Sequence, residues 1–92
     1  MNPESFREKL LADGYLDVDT RSLEAGVFVD KHSHPFDVRA LVLEGEATIA
    51  CDGAPRTYRV GDVVEVARNR EHTEKYGAQG YTVMVGRRHP AG

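Results

Sequence analysis

The apolar positions of the first dozen residues fall four apart, at Phe6 and Leu10, with Leu11 beside them. That spacing predicts a short amphipathic helix with a narrow apolar stripe. Its ends are marked by chemistry. Asn2 precedes Pro3 at the first helical position, Glu4 and Glu8 supply acidic residues near the start, and Gly14 stands where the helix should stop. The stripe predicts a helix within residues 1–14 that packs on the rest of the chain.

From Tyr15 onward the period changes to short runs rich in β-branched and aromatic residues, broken by glycine, which predicts an all-β sandwich or barrel. Strands are expected near Tyr15–Arg21, Val27–His34, Val38–Leu43, Ala47–Cys51, Arg56–Val60, Asp62–Val66, His72–Tyr76 and Tyr81–Arg87. Turns are expected at Ala25-Gly26, Glu44-Gly45 and Ala78-Gln79-Gly80, with a bend at Gly61-Asp62. Asp52-Gly53 is the strongest hairpin signal. No long loop, repeat or biased tract interrupts the pattern, so residues 15–92 read as a single domain.

Alternation also assigns faces. Val38, Ala40 and Val42 share one small apolar face that would leave room inside a barrel, while Leu41 and Leu43 would point outward and need cover. Phe28, between Val27 and Val29, is expected in the core or at a subunit contact.

A chain of 92 residues buries only about 60 to 65% of its unfolded surface, so a metal, a packed helix or a partner subunit would support its thin core. Twelve basic against 15 acidic residues give a formal charge of -3, which argues against a nucleic-acid surface. The single cysteine, Cys51, cannot form an intramolecular disulfide and reads as a structural thiol. No secretory leader pattern and no membrane-length apolar run is visible, so a cytoplasmic protein without membrane contact is expected.

The chemistry lies in the histidines. His32 and His34 flank Ser33 and would share one face of a strand, and His72 follows about forty residues later. Three neutral imidazoles could hold one divalent transition metal, with zinc, iron, nickel, manganese and copper all compatible with the ligand type. The fourth histidine, His89, sits in Arg87-Arg88-His89-Pro90, which reads as a solvated tail.

Gly26, five residues, His32-Ser33-His34 and the later Gly45 resemble the first motif of the cupins, G(X)5HXH(X)3,4E(X)6G. Gly61-Asp62 through Val66 to His72 resembles the second, G(X)5PXG(X)2H(X)3N, with Ala67, Asn69 and Tyr76 in place of its proline, glycine and asparagine. The resemblance implies a jelly-roll antiparallel β-barrel with a short N-terminal α-helix, and it makes His32, His34 and His72 ligands of a metal inside the barrel. It also implies a small organic ligand or substrate, and a homodimer that would cover Leu41 and Leu43. Enzymatic use would be oxygenase, isomerase, cyclase, lyase or decarboxylase chemistry. A binding or sensing module without turnover, with a degraded or structural metal site, is the alternative.

The motif glutamate is missing, because Val38 or Arg39 stands at its position. Three substitutes are open. Glu74 lies two residues beyond His72 on the same face, about 6 to 7 Å along the strand, as ligand or acid/base. Asp37 would need the turn at Pro35-Phe36 to rotate it inward. A three-histidine site with water would also be chemically complete. Tyr76 continues the His72 and Glu74 face as a second catalytic candidate, and Arg39 is expected to point outward and be ion-paired.

Overall fold

The computed structural model describes residues 2–90. Helix α1 spans Pro3–Ala12, and the Asn2 side chain accepts a hydrogen bond from the Ser5 amide at 2.8 Å, capping the free donors of the first turn. Six antiparallel strands follow: β1 (Leu16–Leu23), β2 (Phe28–His32), β3 (Asp37–Cys51), β4 (Ala54–Arg59), β5 (Val63–Val66) and β6 (His72–Arg88).

The eight expected runs merge into six strands because two of the expected glycine turns are bends inside strands. β3 runs unbroken through Gly45, and β6 through Gly80. Both glycines have positive φ, +70° and +81°, and a Cβ at Gly45 would collide with the Gly80 carbonyl. A glycine at positive φ suits a bulge as well as a turn, and here the register shifts between Val42 and Glu44 and between Gly45 and Ala47 mark bulges. Asp52-Gly53, by contrast, forms the expected hairpin, with both residues at positive φ between the paired Cys51 and Ala54.

The bends let β3 and β6 serve two sheets each. Their halves beyond the bend on one side pair with β1 and β5, giving the order β1-β6-β3-β5; their other halves pair with β2 and β4, giving β2-β6-β3-β4. These two layers are the jelly roll.

Inward positions change parity at the bend. In β3 they are Val38, Ala40 and Val42 before it and Ala47 and Ile49 after it; in β6 they are His72, Glu74 and Tyr76 before and Tyr81, Val83 and Val85 after. A similar device acts in β2. Its register moves from Val29↔Glu74 to His32↔His72, three residues against two, so a bulge turns both Val29 and His32 inward. Phe28 therefore faces solvent at 56% exposure, and the expected core position is corrected.

The outward Leu41 is covered within the chain. Phe6 and Leu10 of α1 close over it together with Tyr15, and Leu43 and Met84 border the cluster. Cover by a second subunit is thus not needed there. Gly86 permits this close approach, since a Cβ would meet Tyr15 and Leu10 at 3.2 and 3.3 Å.

Charged groups strap the same junction. Asp37 points away from the barrel interior and accepts from the Arg68 amide at 2.9 Å and from Arg88 Nε at 3.1 Å, so it is no candidate ligand. Arg88 also donates to the Asp13 carbonyl at 3.1 Å, while Arg39 pairs with Asp13 and Glu65 as expected of an outward residue. Both guanidinium groups lie over the Tyr15 ring. Arg87 and Arg88 thus end β6, which corrects the solvated-tail reading. Among the described residues, no helix is long and apolar enough to cross a membrane.

Candidate metal centre

Two pieces of chain, the end of β2 with the residues after it and the start of β6, bring the histidines together. His32 is the last residue of β2, His34 lies two residues beyond it, and His72 opens β6 directly across from His32. Their ligand atoms lie within 4.8 Å of one another, and the His32 and His72 ring centres are 4.2 Å apart. His34 sits outside the regular strand, so alternation alone does not aim it. Its carbonyl accepts the Asn69 amide, and its ring stacks on Phe36 at 5.1 Å and 15°.

The backbone orients two of the rings. His32 Nδ1 lies 2.8 Å from the Asp30 carbonyl and His72 Nδ1 lies 3.0 Å from the Arg70 carbonyl. A carbonyl only accepts, so each Nδ1 carries the proton and each Nε2 of the neutral ring presents a lone pair. Both Nε2 atoms face one carboxylate oxygen, Glu74 Oε2, at 3.2 and 3.4 Å.

Three lone-pair-bearing atoms at these distances repel unless protons or a cation lie among them. Donors bound to one ion at about 2.0 to 2.2 Å are spaced roughly 3.0 to 3.5 Å apart, so the set fits a divalent transition ion. The residual Nδ1 hydrogen bonds are the outer contacts that orient histidine ligands. For His34, burial first and then the positive charge of His32, His72 and Arg87 hold the imidazole below its ordinary pKa, which favours the neutral ligand form.

Glu74 also takes a hydrogen bond from Tyr76, whose hydroxyl donates to Oε1 at 3.3 Å. Burial, then the Glu74 charge, pushes the Tyr76 pKa up to about 12, and burial raises that of Tyr81 as well. Tyr76 stacks on Tyr81 with ring centres 5.4 Å apart. It is therefore a buried phenol that stays protonated.

These groups border a cavity of about 400 Å³. Its walls are largely aliphatic, including Val38, Ala40, Ile49, Val64, Val66 and Val83; of the face expected to leave room, Val38 and Ala40 line it while Val42 is buried in the core. Val38, at the motif glutamate position, offers only methyl groups there.

Two charged lining residues escaped sequence reasoning as site residues: Arg21 and Arg87. For Arg87 a signal existed, because it continues the inward series Tyr81, Val83, Val85 with period two. For Arg21 the shift in β1 between Leu16 and Asp19 hides the phase. Cys51 is half-buried beside the core, across from His72 in the register. His89 lies outside the histidine cluster, 5.2 Å from the Phe36 ring.

No protein-family model matches the chain. No protein of curated function matches it in sequence. Solved structures do match in shape. A conserved protein of unknown function from Streptococcus pyogenes superposes with a TM-score of 0.70 at 21% identity, over 82% of this chain and 65% of that one. A cupin superfamily protein from Desulfitobacterium hafniense gives 0.69 at 22%, over 79% and 66%. The DMSP lyase DddQ from Ruegeria pomeroyi gives 0.67 at 26%, over 75% of this chain but 36% of the lyase. The chain thus spans less than two thirds of the length of each of these three. With two bent strands shared between two sheets and the histidines at one mouth, the fold of this chain is that of the cupin superfamily.

Proposed function

We propose that the chain is a metal-binding cupin in which His32, His34, His72 and Glu74 hold one divalent transition ion, and that it acts on a small organic molecule in the adjoining cavity. The observation that carries this reading is the convergence of His32 Nε2 and His72 Nε2 on Glu74 Oε2. When bound, a divalent ion supplies Lewis acidity or an activated water.

The chain's own groups supply the rest. Glu74 is both a ligand oxygen and, through Oε1, the acceptor of the Tyr76 proton at 3.3 Å. Tyr76 therefore holds a proton at the cavity wall and serves as hydrogen-bond donor or acid rather than as a base. The valine walls limit water around a bound molecule. The fold shared with a lyase supports an enzyme.

A binding module without turnover is the second reading, favoured by Val38 at the motif glutamate position. Elemental analysis of the protein as isolated, followed by zinc titration of chelator-treated protein, tests the metal. About one ion per chain is expected, lost in His72→Ala; no ion in either preparation rejects the site. With metal present, Glu74→Gln separates the readings by whether turnover or only affinity is lost. We also expect a cytoplasmic homodimer, supported by the exposed apolar Leu16, Phe28 and Val60. Light scattering at the mass of one chain, 10.2 kDa, would reject the dimer.

A further inference from the structure

Arg21 and Arg87 both enter the cavity wall from the β1–β6 side. Arg21 stands opposite Val83 in the register, and Arg87 stands opposite Val38 on one side and Leu16 on the other. Val38 and Val83 face the cavity, and cross-strand partners share a face, so both guanidinium stems are directed toward it.

Their lack of a carboxylate partner sets them apart from five of the chain's nine arginines. Arg39, Arg59, Arg68, Arg70 and Arg88 each have a carboxylate within 4.0 Å. Among the described residues, neither Arg21 nor Arg87 has one. Among the described residues Glu74 is the only carboxylate lining the cavity, and its Oε2 is already engaged with His32 and His72. The cavity therefore presents two cations to one committed anion.

Arg87 is also held in place. Its guanidinium lies over the Phe36 ring, 5.2 Å from the centroid, and that ring also packs on His34 at 5.1 Å and His89 at 5.2 Å. A cation–π contact holds a guanidinium at the ring face while leaving its N–H donors available, which suits recognition of a planar anion. Apart from the histidines and Glu74, the remaining walls are aliphatic or aromatic.

We infer that the molecule bound in this cavity is a small organic carboxylate, its carboxylate taken by the edge of Arg87 with Arg21 as the second cation and its apolar body laid against the valines. A volume of about 400 Å³ limits it to a compact acid. The inference rests on the cavity being the functional site but not on metal binding.

Calorimetric titration with hexanoate and benzoate, each against its neutral amide, tests it in both chelator-treated and zinc-loaded protein. The acids should bind at least tenfold more tightly than the amides in both preparations. Arg87→Gln and Arg21→Gln should each reduce that preference several-fold, while Arg56→Gln, on the face of Tyr58 and outside the cavity, should leave it unchanged. Equal binding of acid and amide by the wild-type protein overturns the inference without any variant. So does inorganic phosphate competing as well as the acids. Acid preference that survives the double arginine variant and appears only with zinc overturns it while sparing the metal reading; acid preference in a protein that takes up no zinc supports it and rejects that reading.

Discussion

The backbone amide of Asn69 donates to the carbonyl of His34 at 2.6 Å, from a residue held at φ +62°. The loop before β6 thereby fixes a histidine that no sheet pairing fixes. Asparagine tolerates this left-handed conformation and stands where the cupin motif has glycine. Asn69→Gly should therefore leave stability within about 1 kcal/mol, whereas Asn69→Val should cost about 1 to 2 kcal/mol and loosen His34. Urea unfolding reads the first effect, and zinc titration of the folded variants reads the second, as weaker binding for valine only.

Glu74→Gln should weaken zinc binding by at least tenfold, because the amide keeps the shape of the side chain but loses the charge that faces two ring nitrogens. Tyr76→Phe should leave zinc affinity within about threefold, since the lost hydrogen bond, worth roughly 1 kcal/mol, reaches the other carboxylate oxygen. A larger loss in Tyr76→Phe than in Glu74→Gln would place the essential contact at the phenol.

His34 gives the metal-free protein a pH dependence near neutrality. Its folded pKa lies below the ordinary value of 6.5, so the unfolded chain binds the proton more readily. The stability linked to neutral His34 is complete above pH 6.5 and is lost as pH falls through the folded pKa. Denaturant midpoints of chelator-treated protein should drop between pH 7.5 and 5.5, and His34→Gln should flatten part of that slope. An unchanged slope in the variant would assign the effect elsewhere.

Asp37→Asn removes the charge that gathers the Arg68 amide and the Arg88 guanidinium. A loss of about 1 to 3 kcal/mol is expected in chemical denaturation, because charged donors lose their acceptor. The Arg68 amide, then Arg88 and the Arg68 side chain, hold this carboxyl below its ordinary value of 3.8, so its contribution persists above that pH and fades as pH falls further. The variant should therefore differ least from wild type in the most acidic buffers.

Much of this arrangement was legible in the chain. The spacing of Phe6 and Leu10 marked the helix, Asp52-Gly53 the hairpin, and the step of two from His72 to Glu74 placed the carboxylate on the histidine face. What could not be read was phase. The bulge in β2 exchanges the faces of Phe28 and Val29, and no local preference announces an extra residue between Val29 and His32. Gly45 and Gly80 look like turns because positive φ serves turns and bulges alike; only the approach of two backbones, distant in sequence, makes them bends. Arg88 and Asp37 are 51 residues apart, so their pairing lay beyond any local pattern.

The bend at Gly45 and Gly80 also limits how the chain can change length. Inner residues of β3 are even-numbered up to Val42 and odd-numbered from Ala47, so each half is locked to its own count. Losing one residue between Val42 and Ala47 while the bulges persist would put the later half out of phase and force a choice. Either Ile49 turns to solvent and Thr48 to the core, or the β4 hairpin slips by one along its partner. Substitutions on the valine walls leave this count intact, whereas a single-residue deletion at the bend would put the later half of β3 out of phase with its partners.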